Sequence, residues 1–213
     1  MTKMSRNKET ETAKRGLIIV ISGPSGTGKG TIISGLRELD PAIGYSVSAT
    51  TRERRYGETE AVSYYFKTRE EFEAMIANGE VLEWDEFCGN LYGTLKSELQ
   101  TKIEAGIDVI LDITVKGAES IKAAFPEDSI TVFILPPSIA ELEKRIRGRK
   151  RESEEQLRDR IANAEHEIAR MNDFEYFVVS DSVTEAPKRL KIIIDAERQK
   201  VRRNPGLLHK FDI

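Results

Sequence analysis

The chain has one cysteine, Cys88, among 213 residues, so no intrachain disulfide can form, which fits a reducing compartment. As a small, weakly polar side chain, Cys88 is expected to be half-buried. No apolar run approaches the length of a membrane span, and residues 1 to 15 lack the apolar block of a secretory signal. These absences suggest a cytoplasmic chain with no membrane partner. Charge of one sign is lacking too. With 33 basic and 36 acidic residues, the formal net charge is −3, and no overall field would draw the chain onto nucleic acid. Any basic site must be local. The two histidines, His166 and His209, lie in no motif. The polar residues 1 to 15 have nothing to bury and are expected to form a disordered tail.

What is present is a glycine-rich loop, Gly23-Pro24-Ser25-Gly26-Thr27-Gly28-Lys29-Gly30-Thr31, between an apolar run, Leu17 to Ile21, and a helical pattern. Strand, glycine loop and helix are the context in which backbone N–H groups curl around a polyphosphate and a helix N-terminus adds positive potential. Lys29 would reach the β- and γ-phosphates. The pattern G-x-x-x-x-G-K-[ST] is met except at its last position, where Gly30 stands and the hydroxyl follows at Thr31. Thr31 is the candidate for Mg2+.

Further apolar, β-branched runs at 107 to 113, 130 to 135 and 177 to 179 alternate with helical patterns, which implies an α/β fold with a doubly wound, buried parallel sheet. Thr68 with Glu71, Ser138 with Glu141 and Ser153 with Gln156 fit capping boxes and mark helix starts. Leu157, Ile161, Ala164, Ile168 and Met171 form one helical stripe. Leu190, Ile194 and Val201 form another, ended by Asn204-Pro205-Gly206. Residues 47 to 95, rich in Arg, Glu, Tyr and Phe, break the rhythm and suggest an inserted lobe. Arg145, Arg147, Arg149, Lys150 and Arg151 crowd into a second interruption that would repel itself unless anions were present. Asp112, at the carboxyl end of its strand, is placed to orient Lys29 or the waters of a metal ion.

With the insert in view, the chain resembles the guanylate kinases from about Leu17 to about Val201. The residues that carry the likeness are the loop GPSGTGKGT, the stretch from Ser46 to Glu58 (SVSATTRERRYGE), Tyr64-Tyr65-Phe66, Leu82-Glu83-Trp84 and Gly89-Asn90-Leu91-Tyr92-Gly93-Thr94. The resemblance implies transfer of the ATP γ-phosphoryl group to GMP, and to dGMP, with Mg2+. It also implies a division into a core (16–46, 96–146 and 161–203), a GMP-binding insert (47–95) and a short lid (147–160), with a C-terminal tail at 204–213. Arg52, Arg55, Tyr64 and Tyr92 would then clamp the GMP phosphate, through forked guanidinium contacts and phenolic donors. Glu83 would accept from the guanine N1–H and amine, with Ser48 and Thr94 supplying hydroxyls around the base. Arg145, Arg149 and Arg160 match the lid arginines that neutralise charge on the moving phosphoryl group, whereas Arg147 and Arg151 would face Glu152, Glu154 and Glu155. The chain would act as a monomer or a homodimer.

Several positions depart from that family's pattern. Thr114 stands where an acid is usual, Lys116 replaces a glutamine, Ala61 and Ser63 replace a glycine and a polar or acidic residue, Ser180 replaces an asparagine that borders adenine, and Lys150 replaces a lid glycine. Residues two apart in a strand share a face, so Asp112 and Thr114 would both point into the active cleft. A missing carboxylate there would weaken guanine selectivity by roughly tenfold. Three readings follow: guanylate kinase, a related kinase for another small phosphorylated acceptor, and a non-catalytic guanylate-kinase-like binding module. The presence of Lys29, Arg145 and Arg149 argues against the last.

Overall fold

The computed structural model describes residues 14–148, 153–204 and 206–207. From β1 (Ile18–Ser22) the chain passes through the glycine loop into α1 (Lys29–Leu39) and the short β2 (Gly44–Tyr45). The next stretch holds β3 (Ala49–Thr50), β4 (Tyr65–Phe66), α2 (Arg69–Ala77), β5 (Val81–Phe87) and β6 (Asn90–Leu95). Then come α3 (Lys96–Glu104), β7 (Val109–Asp112), α4 (Val115–Ala124), β8 (Ser129–Leu135), α5 (Ile139–Arg147) and α6 (Glu154–Ala169). The last two main elements are β9 (Tyr176–Val179) and α7 (Glu185–Arg198).

The main sheet has five strands in the order β2-β7-β1-β8-β9, and every pairing in it is parallel. β1 lies at its centre and is buried throughout, as a strand covered on both faces must be. Its alternation divides the core. Ile19 and Ile21 pack with Ile32, Leu36, Leu190 and Ile194 of α1 and α7. Ile18 and Val20 pack with Leu99, Ile103, Ala118 and Ile121 of α3 and α4. This is the doubly wound arrangement expected, with the glycine loop at the carboxyl end of the central strand. The sequence runs overshot in places. β7 begins at Val109 and leaves Ile107 40% exposed, and Phe177, on the edge strand β9, is 60% exposed. α7 ends at Arg198, so Val201 lies beyond it, 79% exposed in a short 3₁₀ turn. Met171 likewise falls in a 3₁₀ turn after α6.

A second, four-stranded sheet in the order β4-β3-β6-β5 lies wholly within residues 49 to 95 and has its own core of Ala49, Phe72, Leu91 and Leu95. Both ends of this stretch meet at one buried carboxylate. Glu98 accepts from the Ser46 hydroxyl at 3.0 Å and from the Val47 N–H at 3.4 Å, and is ion-paired with Lys102. β5 also reaches the main core, because Leu82 packs against the α3 and α4 side.

The expected capping boxes at Thr68 and Ser153 are complete. At Ser138 the side chain caps the Glu141 N–H, but Glu141 turns instead to Arg145. Cys88 differs from expectation. It is exposed and forms, with Gly89, the two-residue turn between the paired residues Phe87 and Asn90. Both turn residues have positive φ, 51° and 75°, as a type I′ hairpin requires, and asparagine suits the first position far better than cysteine. Cys88→Asn is therefore expected to stabilise the protein by about 0.5–1 kcal/mol, read as a higher urea midpoint at unchanged slope.

Candidate active site

The glycine loop takes the shape its composition allows. Gly23, Gly26 and Gly28 have φ of 138°, 95° and 93°, and Gly28 is the N-cap of α1. Only glycine holds such angles without steric penalty. At Gly23 a side chain is excluded outright, since a Cβ would lie 2.4 Å from the Ile134 carbonyl oxygen. Lys29 folds back over the loop, donating to the Gly23 carbonyl at 2.5 Å, with its Nζ 4.0 Å from Asp112 Oδ1. Burial raises the Asp112 pKa, and the Lys29 ammonium opposes that rise. The lysine and the strand-end acid are thus side by side, as the sequence predicts.

Arg145 and Arg160 both converge on the loop. Arg160, on α6, donates to the Ser25 hydroxyl at 2.6 Å. The Arg145 guanidinium makes four hydrogen bonds: Nε to Glu141 Oε1 at 3.1 Å, Nη1 to the Thr27 carbonyl at 3.2 Å and to Ser180 Oγ at 3.0 Å, and Nη2 to the Ser180 carbonyl at 2.9 Å. Ser180, where the family pattern has asparagine, is therefore a holder of Arg145. A cavity of about 290 Å³ lies beside this guanidinium, lined by Gly26 to Gly28, Thr31, Ile32 and Ser180 to Val183. Arg147 pairs with Glu143 and Glu154, in line with a surface role. Arg149, Lys150 and Arg151 lie outside the described residues.

A second cavity, about 380 Å³, opens between the two sheets and is lined by Tyr45, Ser48, Tyr64, Glu83, Tyr92, Asp112 and Thr114, among others. Five of the residues expected around an acceptor nucleotide, Ser48, Tyr64, Glu83, Tyr92 and Thr114, thus surround one space. At its inner end Glu83 Oε1 accepts from the buried Thr94 hydroxyl at 2.5 Å. Burial pushes the Glu83 pKa above the ordinary glutamate value, and the Thr94 hydrogen bond offsets part of that shift. At the other end Arg52 lies 5.4 Å from the Tyr64 ring centroid, and Tyr64 meets Tyr92 edge to face at 6.0 Å. Arg52 is gripped in fork fashion by Glu58, at 2.6 and 3.1 Å, and Glu58 also accepts the Arg55 backbone N–H at 2.8 Å. The Arg55 side chain is exposed.

Sequence reasoning missed two features here. Tyr45 lines the acceptor cavity, its phenol pushed up to about 12 by burial first and by the Asp112 carboxylate second. No motif contains it, because β2 is two residues long and is defined only by its pairing with β7. Thr114 is also placed differently. β7 ends at Asp112, and Thr114 is the N-cap of α4, its hydroxyl accepting the Gly117 N–H at 3.2 Å. It lines the cavity as a helix cap and not as the next inward residue of a strand.

Among the described residues, no helix is long and apolar enough to cross a membrane, and no group of three His, Cys, Asp or Glu could hold a metal ion. A phosphate loop at the carboxyl end of a central parallel strand, facing an acceptor cavity across the sheet end, defines the class of P-loop nucleotide-binding proteins with a phosphorylated-acceptor site. Comparison with known proteins narrows this class. The profile of the family "Guanylate kinase" matches residues 15–197. The guanylate kinase of Halalkalibacterium halodurans is 48% identical over 93% of this chain and 95% of its own length. That of Desulfitobacterium hafniense is 46% identical over 89% and 94%. The crystal structure of guanylate kinase from Anaplasma phagocytophilum superposes with a TM-score of 0.72 at 32% identity, covering 94% of this chain and 97% of that one. The chain belongs to the guanylate kinase family.

The capping role of Thr114 has a direct consequence for stability. Thr114→Ala should destabilise the protein by about 1 kcal/mol, because the Gly117 N–H loses its acceptor, whereas Thr114→Asp keeps a cap of equal quality and should unfold at the wild-type midpoint. Chemical denaturation of the two variants checks this.

Proposed function

We propose that the chain transfers the γ-phosphoryl group of ATP to GMP, and to dGMP, which carries the same base and phosphate, as a step of purine nucleotide metabolism. The observation that carries this reading is Glu83, a carboxylate kept in a sheltered cavity by Thr94 with no cation beside it among the described residues. Such a group calls for a neutral ligand edge with paired donors, which guanine offers through N1–H and its amine and adenine does not. Ser48, Thr94 and Thr114 surround the same base. Arg52, Arg55, Tyr64 and Tyr92 receive the acceptor phosphate, for which Glu58 already holds the Arg52 fork in place.

On the donor side, the N–H groups from Gly23 to Thr31 wrap the ATP phosphates. Lys29 leaves the Gly23 carbonyl for the β- and γ-oxygens, and Asp112 orients it. Arg145, with its donors engaged by Thr27 and Ser180, walls the base side of the donor cavity. Arg149 and Arg160 are left to neutralise charge on the moving phosphoryl group. Thr31 on the donor-cavity rim and Asp112 are a donor set that suits Mg2+ arriving with ATP, since that ion takes most of its oxygens from phosphate and water. It would supply charge neutralisation across the β- and γ-phosphates. No covalent intermediate is needed, because the attacking oxygen belongs to the acceptor phosphate.

ADP release measured across GMP, dGMP, AMP, UMP and CMP tests the assignment. Turnover confined to the guanine pair is expected, and Lys29→Ala should abolish it while leaving GMP binding intact by calorimetry. The departures at Thr114 and Lys116 favour a second reading, a kinase for another acceptor, which turnover of a different phosphate would establish.

The raised Glu83 pKa gives a pH dependence with a defined sign. Only the ionised form accepts both guanine donors, so KM for GMP should rise as pH falls through a window lying above the ordinary glutamate value. The GMP phosphate protonates near pH 6 and contributes its own slope. In Glu83→Gln only that phosphate slope should remain. The same shift makes the ligand-free fold less stable as pH rises through the window, because the folded state binds that proton more tightly than the unfolded state.

A further inference from the structure

Gly117 is the third residue of α4, buried, and in ordinary helical backbone. Nothing in its own conformation calls for glycine. A glycine inside a helix costs about 0.5–1 kcal/mol relative to alanine, so the position sacrifices stability to some other constraint. The surroundings identify it. A Cβ on residue 117 would lie 2.8 Å from Glu83 Oε2, 3.2 Å from Glu83 Cδ and 3.3 Å from Glu83 Cγ. All three nearest atoms belong to one side chain, and none belongs to the backbone of β5. The space that the glycine leaves open is therefore filled by the Glu83 carboxylate.

The geometry points to Gly117 as a positioning residue for acceptor choice: the side chain it lacks is the seat of the Glu83 carboxylate. The rest of the neighbourhood is arranged to the same end. Leu82, the residue before Glu83, packs against the core side that contains Ala118 and Ile121 of α4, which brings β5 onto the helix. Thr94 then fixes Oε1 from the opposite side, leaving Oε2 against the first turn of α4, where the helix dipole favours negative charge. An alanine would not break this packing. The atoms it meets are the far end of a flexible side chain, so Glu83 would swing away, strain or lose its Thr94 hydrogen bond, and present its oxygens to the cavity at the wrong angle.

This inference rests on the reading that Glu83 receives guanine, and the test separates the two. Gly117→Ala is compared with Ser120→Ala, a control that raises helix propensity in the same helix without meeting Glu83. For Gly117→Ala, KM for GMP should rise by about tenfold or more, the scale of a charge-assisted hydrogen bond. Its kcat at saturating GMP should stay within about threefold, and its Tm should be equal to or higher than that of the wild type. In a Glu83→Ala background Gly117→Ala should change KM no further, since the clash has been removed. In the ligand-free protein, NMR titration of the Glu83 carboxyl carbon should shift in Gly117→Ala, because the carboxylate changes its burial and its Thr94 contact together, and stay unchanged in Ser120→Ala. If the wild type fails to phosphorylate GMP but this titration moves, the guanine reading falls and the positioning role stands. An unmoved Glu83 titration overturns the positioning role, as does a KM effect that persists without Glu83. A lower Tm with proportional loss of kcat would also overturn it, by showing a purely structural glycine.

Discussion

Backbone lies directly against backbone where Gly23 meets β8, and the rest of the site depends on that contact. With φ at 138° and no room for a Cβ beside the Ile134 carbonyl, the chain can leave β1 only by turning across the end of β8. That turn delivers Lys29 at the head of α1 to within 4.0 Å of Asp112 at the end of the neighbouring strand. Gly26 continues the theme, since a side chain there would meet Leu142 and Ile146 of α5 at 3.2 and 3.0 Å. α5 is thereby pressed onto the loop, and Arg145 is carried to Thr27 and Ser180. Two glycines thus determine how near the donor site's cations can come.

The acceptor side is built on a different principle. The cavity there takes most of its lining from the short-stranded sheet and its loops, with Tyr45 and residues 112 to 114 added from the side of the main sheet. Glu83 and Thr94 are directly paired residues of β5 and β6, so the hydroxyl that holds the carboxylate comes from the register itself. Arg52, Tyr64 and Tyr92 are gathered by ring and cation contacts at the far end. A half-buried carboxylate in the cavity's lining and a guanidinium beside its Tyr64 give the space a polarity that matches a nucleotide with a donor-bearing base and an anionic tail.

The sequence revealed most about features fixed locally. β1 and β8 are long apolar runs, the glycine loop needs positive φ at three known places, and complete capping boxes stand at Thr68 and Ser153, so each could be read from a few adjacent residues. What escaped is set by distant partners. β2, β3 and β4 are two residues each and exist through pairing alone, which left Tyr45 without a signal. Thr114 read as a strand residue because it stands two positions from Asp112, yet the strand ends at Asp112 and the helix start that follows needs a cap. Cys88 read as half-buried by residue type, whereas the hairpin register puts it at an exposed turn. The acceptors around Arg145 come from the loop, from its own helix and from Ser180, a combination that no linear spacing encodes.

The clasp at Glu98 bears on how such a chain can diversify. Because Ser46 and Val47 at one end and the start of α3 at the other are tied to the same carboxylate, the stretch between them is, in polymer terms, a loop whose ends are already joined. The entropy of closing a loop grows only with the logarithm of its length, about 0.6 kcal/mol for each doubling. Changes of length in the loops of this stretch, away from Leu82 where β5 enters the main core, therefore cost the parallel sheet little in free energy, and the glycine loop can be kept while the second sheet diversifies.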